Sequence, residues 1–357
     1  MTKSYLRQLN TIKQKINQAS IKVINDKKSA YTYGAKGGIK DDVFNRLSEF
    51  TTRGKGLRGT LFYYLAIELG CKNKKDIIDF AVGLELIHSA LLIHDDIMDN
   101  DLLRRGKPSM HAQYIAEVDV SSKNLALETA KSIAISVGDL AIFLAFELFS
   151  KSLSKHPQNS VIMSRLVKDY SLTGLGQIDD VFFSAAKIEP TPEEISRVFL
   201  HKTARYTFSL PLSMAALFSG QPTVLVKNLD KIGEHMGIVF QMRDDEIGFY
   251  GESAAIGKTV GLDIIRNNKT LIRYFLYQNS SRLEKSKLDK IFGNPRIKQQ
   301  DIEHLKNLAL TNGATQQVER LKEEHISFAM SKINKIKTQN IKNSLLELLT
   351  YLNHRNS

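Results

Sequence analysis

The chain reads as all-α. Its 7 prolines fall only at 108, 157, 190, 192, 211, 222 and 295, and apolar residues recur between them at three- and four-residue spacing. The segment Phe80 to Asn100 is apolar nearly all round, through Leu84, Leu86, Ile87, Ala90, Leu91, Leu92 and Ile93, as a helix enclosed by other helices must be. Thr191-Pro192-Glu193-Glu194 opens a further helix with an N-cap, a proline at the first helical position and an acidic third position, and Gly220 with Pro222 closes it. Within it Pro211, which lacks an N–H, predicts a bend about a turn back, near Thr207. The Lys-rich C-terminal third from Ser281 onward holds amphipathic segments, read as an outer helical layer over 281–353. No repeat, low-complexity tract or composition shift marks a linker, so the 357 residues are expected to form a single large domain, 1–357.

A lone cysteine, Cys71, cannot build a disulfide framework or a Cys-rich zinc site within one chain, and metal ligands must therefore be carboxylates or histidines. The first thirty residues scatter lysines among isolated apolar positions and hold no secretory core. The expected compartment is the cytoplasm. Apolar stretches such as Leu140 to Phe149 are broken by Glu147 and preceded by Asp139, so no transmembrane segment is expected. Fifty Lys and Arg against 38 Asp and Glu give a net charge of +12, which favours polyanionic partners. Nucleic acid is not expected, because it wants a continuous basic face with interleaved aromatics and is repelled by acidic clusters.

Two such clusters exist. Asp95-Asp96-Ile97-Met98-Asp99 closes the buried helix, with Asp95 and Asp99 one turn apart on one face. Gln241-Met242-Arg243-Asp244-Asp245 repeats the acidic pair at the end of another apolar run, Ile238 to Phe240. Desolvated like charges need a compensating cation, and a hard divalent ion such as Mg²⁺ suits them, taking one or two carboxylates and completing its shell with water and phosphate oxygens. Facing each other across a bundle, the clusters would hold several ions around one diphosphate. Arg104-Arg105-Gly106-Lys107-Pro108 reads as a basic loop after the first cluster, and Gly54-Lys55-Gly56-Leu57-Arg58-Gly59 as a flexible turn opening a helix toward a phosphate.

These residues stand in an ordered set: GKGLR at 54–58, ELIHSALLIHDDIMD at 85–99, RRGKP at 104–108, GQIDD at 176–180, KT at 202–203, FQMRDD at 240–245, GKTVGLD at 257–263 and KT at 269–270. With that order, over roughly 54–270, the chain resembles the trans-type polyprenyl diphosphate synthases, which include the farnesyl and geranylgeranyl diphosphate synthases. The resemblance implies a helical bundle of the isoprenoid synthase type around a central cavity. It also implies a homodimer that condenses an allylic diphosphate (dimethylallyl, geranyl or farnesyl) with isopentenyl diphosphate, using three Mg²⁺ ions per active site. Carried over residue by residue, it makes Asp95, Asp99 and Asp244 the principal metal ligands, with Asp96 and Asp245 in support. Arg104, Lys202 and Lys258 become contacts to the allylic diphosphate, and Lys55, Arg58, His88 and Arg105 the pocket for isopentenyl diphosphate. Thr203 and Gln241 match positions that steady the allylic cation and its leaving group.

The chain departs from the family's pattern at Gly248, where many members carry a third Asp, at Gly59, where Pro is usual, and at Asn268, where a lysine is common. Product length follows from helix geometry. Leu91 and Ala90, four and five positions before Asp95, lie about one turn deeper and act as a floor. Farnesyl-producing relatives often place aromatics there, so Ala90 predicts geranylgeranyl or longer all-trans products, with Ile87 and Leu84 as deeper stops. The alternatives are a farnesyl diphosphate synthase, a terpene cyclase, which would not need a second diphosphate pocket, and a non-catalytic regulatory subunit, against which the intact DDIMD weighs.

Overall fold

The computed structural model describes residues 3–31, 39–118, 122–186, 188–250 and 262–355, which fall into two compact units. The first unit, Lys3–Met163 with Leu217–Gly220, holds helices Lys3–Tyr31 (α1), Ile39–Thr52 (α2), Leu57–Glu68 (α3), Lys74–Met98 (α4), Ala112–Ile115 (α5) and Lys123–Leu153 (α6), and the start of Asn159–Ala185 (α7). α4 is the predicted buried helix. The Asn73 side chain starts it by accepting from the Asp76 N–H, and Asp99 ends it. Leu84, Ala90 and Ile93 have no exposed surface, Ile87 almost none, and α3 and α6 pack along α4. Below them the rings of Phe62, Phe80, Phe149 and Phe218 interlock, Phe62 and Phe80 with centroids 4.5 Å apart. By length and composition alone α4 and α6 are apolar enough to cross a bilayer, but two-thirds of the most apolar part of α4 is buried within the protein, as in a core helix.

The basic segment after α4, expected as a loop, forms a hairpin in which Leu103–Arg104 (β1) pairs antiparallel with Lys107–Pro108 (β2). Its two central residues, Arg105 and Gly106, have φ of 55° and 73°. That double positive φ is the geometry of a two-residue hairpin turn, natural for glycine and costly for arginine.

The second unit, the described residues of 164–216 and 221–355, contains most of α7 and the helices Pro192–Val198 (α8), Leu210–Phe218 (α9, to residue 216) and Thr223–Tyr250 (α10). It continues with Leu262–Ile265 (α11), Leu271–Asn279 (α12), Arg282–Ile291 (α13), Gln299–Thr311 (α14), Ala314–Ile333 (α15) and Gln339–His354 (α16). The predicted capping box is present: Thr191 Oγ1 accepts from the Glu194 N–H, and the Glu194 carboxylate accepts from the Thr191 N–H. Instead of a sharp bend at Thr207, the chain between α8 and α9 widens into a π-helical segment, Phe199–Ser209, whose last bond runs from the Leu210 N–H to the Arg205 carbonyl. The wider register ends one residue before Pro211, which has no N–H to continue it. α13 to α16 form amphipathic layers as expected, α15 and α16 packing on α10, with Leu288, Leu305 and Ala309 fully buried in a shared core.

Candidate active site

The first acidic cluster lies where α4 runs out. Asp95 and Asp99 are half-buried, whereas Asp96 is fully buried. Arg104, brought back by the hairpin, donates from Nε to Asp96 Oδ1 at 2.6 Å and places Nη2 3.5 Å from Asp95 Oδ2 and 3.9 Å from Asp101 Oδ2. It is therefore the counter-ion of the cluster. Burial outweighs that pairing and pushes the Asp96 carboxyl up to about 6, and its second oxygen, closed to solvent, has no hydrogen-bond partner among the described residues.

A cationic group stands beside it in the same unit. Arg58 is buried in the first turn of α3, and Arg105 folds over Gly54, so that a Cβ there would come within 2.9 Å of its Nη1. Burial, then the charges of Arg104 and Arg58, press the Arg105 guanidinium below its usual range. Burial, followed by Arg58, Arg105 and Arg104, holds His88 well below its own, so His88 is a neutral imidazole. The buried Glu85 accepts from the Gly59 N–H at 2.7 Å, and burial raises its carboxyl against the opposing pull of Arg58. Mutual repulsion among crowded guanidinium groups is relieved by an anion, the chemistry expected of a diphosphate pocket. Lys55 is exposed at its edge.

The second cluster is organised around the π-helical segment and α10. Cβ atoms on Gly233 and Gly237 would collide with the main chain of Ser209 and Ala204, so backbone meets backbone along this pair. The buried Arg205 locks the segment further, donating to Asp169 at 2.8 and 2.6 Å and pairing with Glu234. From this seat Thr203 Oγ1 donates to Gln241 Oε1 at 2.9 Å, and Gln241 Nε2 donates to Asp245 Oδ1 at 2.9 Å. Lys202 Nζ bonds Asp180 Oδ2 at 2.5 Å. Burial, then the neighbouring Asp263, holds the Asp245 carboxyl well above the usual carboxylate range, and its Oδ2 is closed to solvent with no hydrogen-bond partner among the described residues. Arg355, at the end of α16, pairs with Asp244, donates to the Phe240 carbonyl at 3.1 Å and lies 3.7 Å from the centre of the Phe240 ring.

Among the described residues no three carboxylate, histidine or cysteine side chains converge closely enough to hold an ion unaided. The donor set nevertheless fits Mg²⁺: hard oxygen ligands, one buried unmatched oxygen in each cluster, and a guanidinium drawn onto each. Lys258, expected on the allylic diphosphate, lies outside the described residues. Sequence reasoning did not single out Glu85 or Asp263, although both stand inside quoted motifs. It also missed Arg355, which lies far from every motif and has no local signal.

Comparison with known proteins bears on this arrangement. The sequence pattern of the polyprenyl synthetase family matches residues 42–309. The chain belongs to the polyprenyl synthetase family. Like other polyprenyl synthetases it is an enzyme of prenyl transfer. It is similar to the geranylgeranyl diphosphate synthase of Saccharolobus solfataricus, 28% identical over 256 residues that cover 71% of this chain and 72% of that protein. It is 31% identical to the farnesyl diphosphate synthase of Geobacillus stearothermophilus over 224 residues, covering 61% of this chain and 69% of that protein. Its fold is that of the geranylgeranyl pyrophosphate synthase of Corynebacterium glutamicum, solved in complex with isoprenyl diphosphate and magnesium, with a TM-score of 0.85, 24% identity and coverage of 96% and 99% of the two chains. The all-α fold is what the helical pattern predicted, and the family is the one that the ordered motifs resemble.

Proposed function

We propose that this polyprenyl synthetase is a Mg²⁺-dependent enzyme joining isopentenyl diphosphate to dimethylallyl, geranyl or farnesyl diphosphate, with geranylgeranyl or a longer all-trans diphosphate as product. The observation that carries this reading is that each acidic cluster keeps a buried, unmatched carboxylate oxygen, while the guanidinium groups of Arg58, Arg104 and Arg105 crowd and repel one another beside the first. One chain thereby offers metal-binding oxygens and an anion pocket.

Asp95, Asp99 and Asp244 are the proposed principal ligands of three Mg²⁺ ions, with Asp96 and Asp245 beside them. When bound, Mg²⁺ supplies the positive charge that neutralises the departing diphosphate. Arg104, Lys202 and Lys258 are assigned to the allylic diphosphate, and Lys55, Arg58, Arg105 and the neutral His88 to isopentenyl diphosphate. The allylic C–O bond breaks with its electron pair to diphosphate oxygen. The double bond of isopentenyl diphosphate then forms the new C–C bond, and a proton leaves for the released diphosphate. Thr203 and Gln241 present oxygen dipoles to the cation. The chain, 1–357, is read as one catalytic domain.

The product assignment is supported by Ala90, which is buried and small, and by the half-buried Leu91. The aromatic layer of Phe80 lies ten residues further down α4, about 15 Å deeper. Farnesyl diphosphate synthase is the second reading, favoured by the 31% identity to such an enzyme. A homodimer is supported by the apolar stripe that α7 exposes at Leu175, Ile178 and Phe182, and a reducing cytoplasm by the lone Cys71. Chromatography of radiolabelled products from isopentenyl diphosphate and each primer, with and without Mg²⁺, tests the function. Metal-dependent chains of geranylgeranyl length or beyond are expected; no product from any primer would refute it, and farnesyl as the end product would establish the second reading.

A further inference from the structure

Away from the acidic clusters, two metal-ligating side chains of different helices meet in the second unit. His235 on α10 and His325 on α15 are 90 residues apart in the chain and lie outside every motif that carries the family resemblance. Each ring is half-buried. α15 holds the His235 ring at two points: the His325 ring has its centre 4.9 Å away, inclined at 47°, and Phe328, about one turn further along, stacks on it at 3.9 Å and 17°. The two Nδ1 atoms are 2.9 Å apart and share one proton, so one ring donates and the other turns its lone pair toward the donor. That separation is also the edge of a coordination square. Two imidazole nitrogens about 2.05 Å from one ion and about 90° apart stand about 2.9 Å from each other, whereas a tetrahedral ion would spread them to about 3.3 Å. Of the charged groups about the pair, Glu324 draws a cation in, Lys231 is engaged by Glu234 at 2.6 Å, and the Lys332 ammonium lies over the Phe328 ring, 5.4 Å from its centre. Burial is the main cause that keeps both rings in the neutral form that ligates a metal.

We propose that His235 and His325 form a binding site for a late first-row divalent cation, Ni²⁺ or Cu²⁺, held at two adjacent positions by the two Nδ1 atoms. Among the described residues no third histidine, cysteine or carboxylate completes the set, so water fills the rest of the shell. The ion replaces the shared proton, which passes through water to Nε2 of the ring that carried it. Both imidazoles stay neutral and no net proton is released. Imidazole suits these ions and not the hard Mg²⁺. The site also stands apart from the second acidic cluster, since His235 is nine residues, or about 13.5 Å, from Asp244 along α10. A bound ion ties α10 to α15 and adds its binding free energy to the folded chain.

The experiment is calorimetric titration of the full-length chain with Ni²⁺ at neutral pH under excess Mg²⁺, which occupies carboxylate sites and leaves imidazoles open, with thermal melts alongside. One equivalent should bind on the order of a hundredfold more tightly than the other, single histidines do, because two ligands are presented together, and it should raise the melting temperature. His235→Gln and His325→Gln should each remove that equivalent, and the double variant should do no worse than either. Electron paramagnetic resonance of Cu²⁺ bound to the unaltered protein should show splitting by two imidazole nitrogens. Only weak, many-site Ni²⁺ binding by the unaltered chain, or a tight equivalent that survives in both single variants, overturns the assignment. Should metal-free melts reveal that the variants do not fold, the Cu²⁺ spectrum decides, and splitting by one nitrogen or none refutes the site.

Discussion

Arg104 grips Asp96 with two nitrogens while the carboxyl it holds has no exposed side-chain surface. A buried charge deprived of its partner is far more costly than the pair is stabilising. Arg104→Ala is therefore expected to lower stability at neutral pH by about 3–5 kcal/mol. Arg104→Lys, which keeps the charge without the two-pronged contact, should cost less. Because the abandoned carboxyl can escape by taking a proton, the loss should shrink as pH falls. Urea unfolding at pH 5 and pH 8 checks this, and equal losses at both would contradict it.

Thr203 is expected to act through Gln241. Thr203→Val removes the hydroxyl that donates to Gln241 Oε1 while leaving the side chain's volume nearly unchanged. Its partner amide still holds Asp245. Steady-state kinetics should show kcat down by about tenfold, the worth of about 1.4 kcal/mol, with KM for isopentenyl diphosphate unaltered. A change confined to KM would place Thr203 in ordinary substrate binding.

Ala90→Phe should shorten the product. The substitution puts a ring into a fully buried position of α4, five residues or about 7.5 Å from Asp95. Overpacking will cost about 1–3 kcal/mol of stability, so product chromatography should be read alongside a thermal melt. An unchanged product spectrum from a folded variant would remove this floor.

A pair of histidines sets an acid limit to stability. His235 and His325 share one hydrogen bond, Nδ1 to Nδ1 at 2.9 Å, and His235 stacks on Phe328 with centroids 3.9 Å apart. Burial, then His325, Lys231 and Lys332, pushes His235 down to about 4 from an ordinary 6.5. Burial lowers His325 as well, against the opposing pull of Glu324. The unfolded chain takes up the proton first, so this contribution is complete above about pH 6.5 and is lost as pH falls towards 4. His235→Phe should flatten that slope by about 1–2 kcal/mol, less than full linkage because the ring is partly hydrated. Thermal melts between pH 4 and 7 provide the check.

Local chemistry was legible and long-range pairing was not. The enclosure of α4, the Thr191 capping box and the layered C-terminal helices follow from periodicity and capping, which act over a few residues. Asp95 and Asp99 stand out in the sequence because like charges one turn apart invite an outside cation, and Asp244 because it opens a second acidic pair. The hold of Arg355 on Asp244 has no such signature, since only tertiary packing brings the two residues together. Pro211 revealed that the helix must be irregular; whether it would kink or take the π register depended on contacts with α10 that no local pattern encodes.

Those contacts carry a consequence for how the enzyme can change over time. Where main chain rests on main chain at Gly233 and Gly237, no α10 side chain stands between the two helices, and that close approach limits how far Thr203 can sit from Gln241. Lineages are free to recolour the outer surfaces of either rod without retuning that gap, whereas a single added methyl at one of these glycines would pry it open.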